Sequence, residues 1–221
     1  VVIANRNRER GEEAEAAILA TGGEALFVPT DVAAEADCRN LAAEAVRVFG
    51  RVDGLVNNAG IFPRGTLDET TSELWDQIFA VNLKGAFFCC KHVVPELRKA
   101  GGGAIVNIGS ANSYVGAANL FAYSVSKGGM ITMTRNLAAA LAPDRIRVNF
   151  VNPGWVISET EIEIQALEGH DAEWLAEAGR NLPLGRHQVP EDAAYAVLYL
   201  VSDEASQVNG DLINVDGRGV R

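Results

Sequence analysis

Val52-Asp53-Gly54-Leu55-Val56-Asn57-Asn58-Ala59-Gly60 is a short apolar run that ends in two asparagines and two small residues. Val52–Val56 reads as a strand, and the small residues after it let backbone come close to a ligand or a neighbouring strand. The same alternation extends in both directions. Upstream, residues 1–5 predict a strand, Arg6 to Ala20 a helix rich in Ala and Glu, Ala25–Val28 a strand, and Ala34–Phe49 a second helix. Downstream, Leu67 to Lys99 is helical in pattern, Ala104–Ile108 a strand, Ala122–Leu141 a helix and Ile146–Val151 a strand; Glu191–Leu200 and Leu212–Val215 repeat the theme. No linker, repeat or low-complexity tract interrupts this order. The alternation predicts one α/β domain over 1–221: a doubly wound parallel sheet with helices on both faces and right-handed crossovers.

Composition narrows the function classes. The 221 residues carry 19 basic and 29 acidic side chains, a formal net charge of −10, which argues against nucleic acid or an anionic membrane as partner. Ala100 to Ser126 is the longest uncharged stretch, but asparagines, serines and glycines interrupt it, so it does not read as a membrane span. The 3 cysteines, Cys38, Cys89 and Cys90, are odd in number and form no disulfide framework, as expected of a cytoplasmic protein. His92, His170 and His187 lack ligand spacing, so no metal site is expected.

The chemistry concentrates in Tyr123-Ser124-Val125-Ser126-Lys127, with Ser110 thirteen residues before the tyrosine. Tyr and Lys at i and i+4 share a helix face. A free phenol has a pKa near 10 and needs a nearby cation to act as a base at neutral pH; Lys127 is placed to supply it. Ser110 follows a strand and would project from the carboxyl end of the sheet, where open α/β sheets bind ligands. Three groups then converge on one substrate oxygen. The plainer alternative is a surface Tyr/Lys pair and a turn serine, because so short a pattern arises by chance.

Together with Asn57-Asn58-Ala59-Gly60, Val81-Asn82-Leu83-Lys84-Gly85 and Asn152-Pro153-Gly154, these motifs resemble the short-chain dehydrogenase/reductase family in order, spacing and residue type along essentially the whole chain. The resemblance implies a Rossmann-type fold and hydride transfer between a nicotinamide cofactor and a small-molecule carbonyl or alcohol. It implies Tyr123 as acid/base, Lys127 as the residue that lowers its pKa and binds the nicotinamide ribose, Ser110 as holder of the substrate oxygen, and Asn82 as the fourth member, positioning a water that leads from the lysine to solvent. Asn58, Ala59 and Gly60 would border the cofactor, Asp31 and Val32 the adenine, and Pro153, Gly154, Val156 and Ser158 the nicotinamide. Asn5 stands where NAD-preferring members carry an acid, and Arg6 follows it, so NADP is favoured over NAD. The resemblance makes Glu159 to Arg180 the substrate lid; Glu159, Glu161 and Glu163 there either face a polar substrate or, the reading preferred, form a solvated charged face. The resemblance also implies a homotetramer or homodimer built on the long helices, with Phe87, Phe88, Ile131 and Leu137 either in that interface or against the sheet.

Within this reading a 3-oxoacyl reductase and a sugar or polyol dehydrogenase both remain open. Two other classes compete with it. A serine hydrolase using Ser110 is the first, although Ile108-Gly109-Ser110-Ala111-Asn112 lacks the G-x-S-x-G signature. A cofactor-binding regulator without turnover is the second. The chain begins at Val1 inside an apolar run and contains no G-x-G-x-x-G. In the family's strand order 3-2-1-4-5-6-7, the sequence reading therefore expects a glycine-rich βα unit of about 30 residues ahead of Val1, its strand lying between those that end at Asn5 and Val56.

Overall fold

The computed structural model describes residues 1–218. Its first half runs β1 (Val2–Asn5), α1 (Arg8–Ala20), β2 (Leu26–Pro29), α2 (Glu35–Phe49), β3 (Gly54–Asn57), α3 (Ser72–Phe79), a π-helical turn (Ala80–Gly85) and α4 (Ala86–Ala100). The second half runs β4 (Gly103–Ile108), α5 (Asn112–Val115), α6 (Phe121–Leu141), β5 (Ile146–Pro153), α7 (Glu159–Leu167), α8 (Ala172–Arg180), α9 (Pro190–Val201) and β6 (Leu212–Val215). Every strand pairing is parallel. β3-β4-β5-β6 form one sheet and β1-β2 another, and no pairing joins β1 to β3 among the described residues.

Helix ends follow local chemistry. The side chain of Asn7 caps α1 by accepting from Arg10 N at 3.1 Å, and Thr71 caps α3 by accepting from Leu74 N at 3.2 Å. That cap starts the long helical region at Ser72, five residues after Leu67, because Thr66 and Glu69 bond each other and hold the preceding segment in a turn. Gly50 and Gly101, at φ 78° and 91°, end α2 and α4 in the left-handed conformation. Residues 159–180 form two helices, α7 and α8, capped by Ser158 and Asp171.

β4 and β5 are buried on both faces, as parallel strands between helices must be. Ile105 and Val148 pack with Leu97 of α4 and Leu141 of α6, while Val106 and Val151 pack with Leu200 of α9 on the opposite face. Phe88 and Ile131 are buried within the single chain and Leu137 is partly buried against the core, while Phe87 is 49% exposed. Gly109 is required at the end of β4, since a Cβ there would meet the Phe150 ring at 2.1 Å.

A polar chain crosses the core beneath the carboxyl ends of the strands. Asn57 Nδ2 donates to Asn107 Oδ1 at 2.8 Å, Asn107 Nδ2 to Thr134 Oγ1 at 2.8 Å, and Thr134 Oγ1 to Met130 O at 2.8 Å. It ties β3, β4 and α6 in one register. Asn107→Ala removes two buried hydrogen bonds, leaving Asn57 with Cys90 Sγ and Thr134 with Met130 O, and is expected to cost about 2–3 kcal/mol, read as a lower urea midpoint at constant slope; an unchanged midpoint would contradict this role.

Candidate active site

Lys127 lies on α6 with only 3% of its surface exposed, and its Nζ donates to Ile108 O at the end of β4 at 2.7 Å. Two ammonium protons remain for other partners. Burial pulls its pKa down to about 8. The α6 helix brings Tyr123 one turn earlier, with Lys127 Nζ 5.9 Å from the phenol ring centre and Phe62 edge-on to it at 6.2 Å. Desolvation pushes the Tyr123 phenol above its usual value; the Ser110 hydroxyl lowers it, Glu161 raises it and Arg64 lowers it. In this arrangement the phenol is held protonated.

Ser110 is 8% exposed, and its Oγ accepts from Asn112 N at 3.2 Å. Asn82 sits fully buried in the π-helical turn, whose wider winding turns its side chain inward. Its Oδ1 accepts from Ile61 N at 2.8 Å, and its Nδ2 donates to Ile61 O at 2.9 Å and to Ser126 Oγ at 3.2 Å. The side chain of Asn82 therefore clamps the segment after Gly60 onto α6, which is positioning by hydrogen bonds to the chain itself.

Ser110, Tyr123 and Lys127 line one cavity of about 760 Å³ at the carboxyl edge of the sheet, together with Asn58, Gly60, Pro153, Gly154, Val156 and Ser158. Ser158 also caps α7, accepting from Glu161 N at 3.2 Å. The remaining sequence-derived positions lie outside that wall. Asp31 forms a turn with Ala33 and bonds Asp37, while Val32 packs over Gly85. Ala59 is exposed. Asn5 Oδ1 accepts from Asn7 N at 3.0 Å, and Arg6 is exposed and makes no ion pair among the described residues.

Helix α7 splits the three glutamates. Glu159 and Glu163 are solvated beside Arg10, but Glu161 is 5% exposed and turned into the cavity. Arg64 Nη2 pairs with it at 3.2 Å, and Arg64 Nε pairs with Glu168 at 2.9 Å. Trp155 and Gln165 complete this wall. Nothing local in the sequence marks Arg64, an isolated charge between Pro63 and Gly65 whose partner lies 97 residues away.

A family model described as enoyl-(acyl carrier protein) reductase matches residues 1–219. An uncharacterised oxidoreductase of Thermotoga maritima is 39% identical over 217 residues, covering 98% of this chain and 86% of that protein. Cyclopentanol dehydrogenase of Comamonas testosteroni is 40% identical over 219 residues, covering 98% and 85%. A solved structure classed as a short-chain alcohol dehydrogenase, from Sinorhizobium meliloti 1021, superposes with a TM-score of 0.90 at 34% identity, covering 98% of this chain and 84% of that one.

The buried lysine sets a pH dependence. Below about pH 8 the ammonium is charged in both folded and unfolded chains, and folding bears its full burial cost. Between about 8 and the ordinary value of 10.5 the unfolded chain holds more protons, so this group makes stability rise with pH. Subtracting the urea stability curve of Lys127→Met from that of the native chain should leave a difference that rises over this window; a flat difference would show that Lys127 is not desolvated.

Proposed function

Because this chain belongs to the short-chain dehydrogenase/reductase family, we propose that its own reaction is the NADP(H)-dependent interconversion of a small-molecule carbonyl and a secondary alcohol. The observation that carries this is the convergence of Ser110, Tyr123 and a buried Lys127 on one cavity.

The cavity suits a nicotinamide dinucleotide. Lys127 offers two unused donors to a ribose diol, and Gly60 leaves its backbone open beside the Lys127 ammonium, where an added Cβ would lie 3.5 Å from Nζ. Lys127, Asn58, Ala59, Gly60, Pro153, Gly154, Val156 and Ser158 would hold the nicotinamide half, and Asn5, Arg6, Asp31 and Val32 the adenosine half. When bound, the cofactor supplies or accepts the hydride at nicotinamide C4. In reduction, Tyr123 gives its proton to the substrate oxygen while Ser110 donates a hydrogen bond to the same atom. The Lys127 ammonium stabilises the phenolate left behind. In the oxidative direction the same charge must offset the burial that keeps the phenol protonated.

Arg6 favours NADP, since an unpaired guanidinium beside the neutral Asn5 matches a 2′-phosphate and no acid is present to bind ribose hydroxyls. A cytoplasmic setting suits three buried free thiols, and self-association as a homodimer or homotetramer suits the exposed Phe87 face of α4. The hydrolase alternative lacks a base: His92, His170 and His187 bond Glu35, Gln165 and Leu175 O respectively, away from Ser110.

Tyr123→Phe should lower kcat by about 10³-fold, followed at the reduced-nicotinamide absorbance with a panel of ketones and alcohols. Undiminished rates would refute the mechanism, and esterase activity lost in Ser110→Ala but kept in Tyr123→Phe would restore the hydrolase. Arg6→Ala should reduce kcat/KM for NADP about tenfold relative to that for NAD; an unaltered ratio removes Arg6 from cofactor choice.

A further inference from the structure

Lys127 and Glu161 are the two charged side chains buried among the described residues. The first is absorbed by the proposed reaction. The second is not, and burying a carboxylate costs several kcal/mol that an apolar residue of similar size would avoid. We infer that the substrate is a neutral polyhydroxylated molecule, and that Glu161, held by Arg64, binds a hydroxyl adjacent to the reacting carbon. This rests on the oxidoreductase reading and narrows it to one substrate class.

Glu161 shares the cavity with Ser110 and Tyr123. Its two oxygens are unequally occupied. Oε1 accepts from Trp155 Nε1 at 2.9 Å, Gln165 Nε2 at 2.9 Å and Arg64 Nη2 at 3.2 Å. Oε2 has only Arg64 Nη2 at 3.5 Å, the edge of bonding distance. A carboxylate has about four acceptor positions, so Oε2 retains capacity for a donor, and a substrate hydroxyl is a donor. Trp155, Gln165 and Arg64 fix the carboxylate on three sides in advance, so little ordering is left for the substrate to bring about.

Charge at Glu161 disfavours the competing class at this position. Arg64 is already shared between Glu161 and Glu168, which leaves this wall with one more negative than positive charge. Lys127 and Arg218 also line the cavity, but an anionic group placed against Glu161 itself would meet a carboxylate whose only guanidinium is already shared with Glu168. A neutral polyol meets no such penalty. Phe62 and Trp155, also in the wall, offer aromatic faces to ring carbons between polar contacts.

The test compares cyclopentanol, cyclopentane-1,2-diol and anionic 3-hydroxybutyrate as alcohols for the native chain, Glu161→Gln, and the Arg64→Met/Glu161→Gln pair, which leaves no unpaired buried charge. The native chain should prefer the diol in kcat/KM. Both variants should lower the diol-over-cyclopentanol ratio about tenfold, mainly through KM, the loss expected for one hydrogen bond to a charged acceptor. Tryptophan fluorescence, with Trp155 bonded to Glu161, should respond to diol in the native chain and not in the variants. A native preference for cyclopentanol or 3-hydroxybutyrate overturns the inference. So does an equal fall for diol and cyclopentanol in both variants, the signature of lost lid packing alone. If no compound is oxidised yet the Glu161-dependent fluorescence response persists, the recognition stands and the proposed reaction fails; no response at all defeats the inference itself.

Discussion

Lys127 is held with 3% of its surface exposed and bonded to Ile108 O, and the neighbouring structure is arranged around keeping that ammonium in place. A charge so placed is unfavourable unless something uses it, and burial alone brings its pKa to about 8. Its seat requires α6 to lie across the end of β4 in a fixed register, which the Asn57–Asn107–Thr134 chain provides. The seat also requires the segment after Gly60 to approach α6 closely. Asn82 does this from the π-helical turn, bonding both backbone groups of Ile61 and the Ser126 hydroxyl. Three buried asparagines from separate parts of the chain thus serve one cation without touching it.

The cavity is electrically asymmetric. Lys127 and Arg218 line it as cations, and Glu161 of α7 lines it paired with Arg64, a guanidinium that Glu168 also shares. Tyr123 lies between them and feels both, the Glu161 charge raising its pKa and Arg64 lowering it. In the proposed reaction, a Lys127 that stabilises a phenolate and a Glu161 that accepts a hydroxyl would act on different parts of one substrate. The order of α7 and α8 is as local as their caps: Ser158 and Asp171 start them, and Gln165 bonds Glu161 at 2.9 Å and His170 at 2.6 Å.

Much of the fold was legible along the chain, for identifiable reasons. Parallel strands buried on both faces read as apolar runs, so Ala104–Ile108 and Ile146–Val151 were found within one or two residues of β4 and β5. Tyr123 and Lys127 were legible because both lie on one helix at i and i+4. The start of α3 was not, since it depends on a Thr71 cap and a preceding turn rather than on periodicity. Nor was the inward turn of Glu161: Glu159, Glu161 and Glu163 alternate identically in sequence, and only the packing of α7 against Trp155 and Arg64 singles out the middle one.

Residue order and type alone determined the α/β alternation, the parallel topology and the Ser/Tyr/Lys set, because hydrophobic period and i, i+4 spacing are properties of neighbours along a chain. Tertiary structure decided what those groups experience. The burial that lowers the Lys127 pKa, the clamp through Asn82, the absence of Asp31 and Val32 from the cavity wall, and the pairing of Arg64 with a glutamate 97 residues away all arise between segments remote in sequence. Desolvation and Coulomb interaction depend on distance in space and on the surrounding dielectric, and neither is encoded in local pattern.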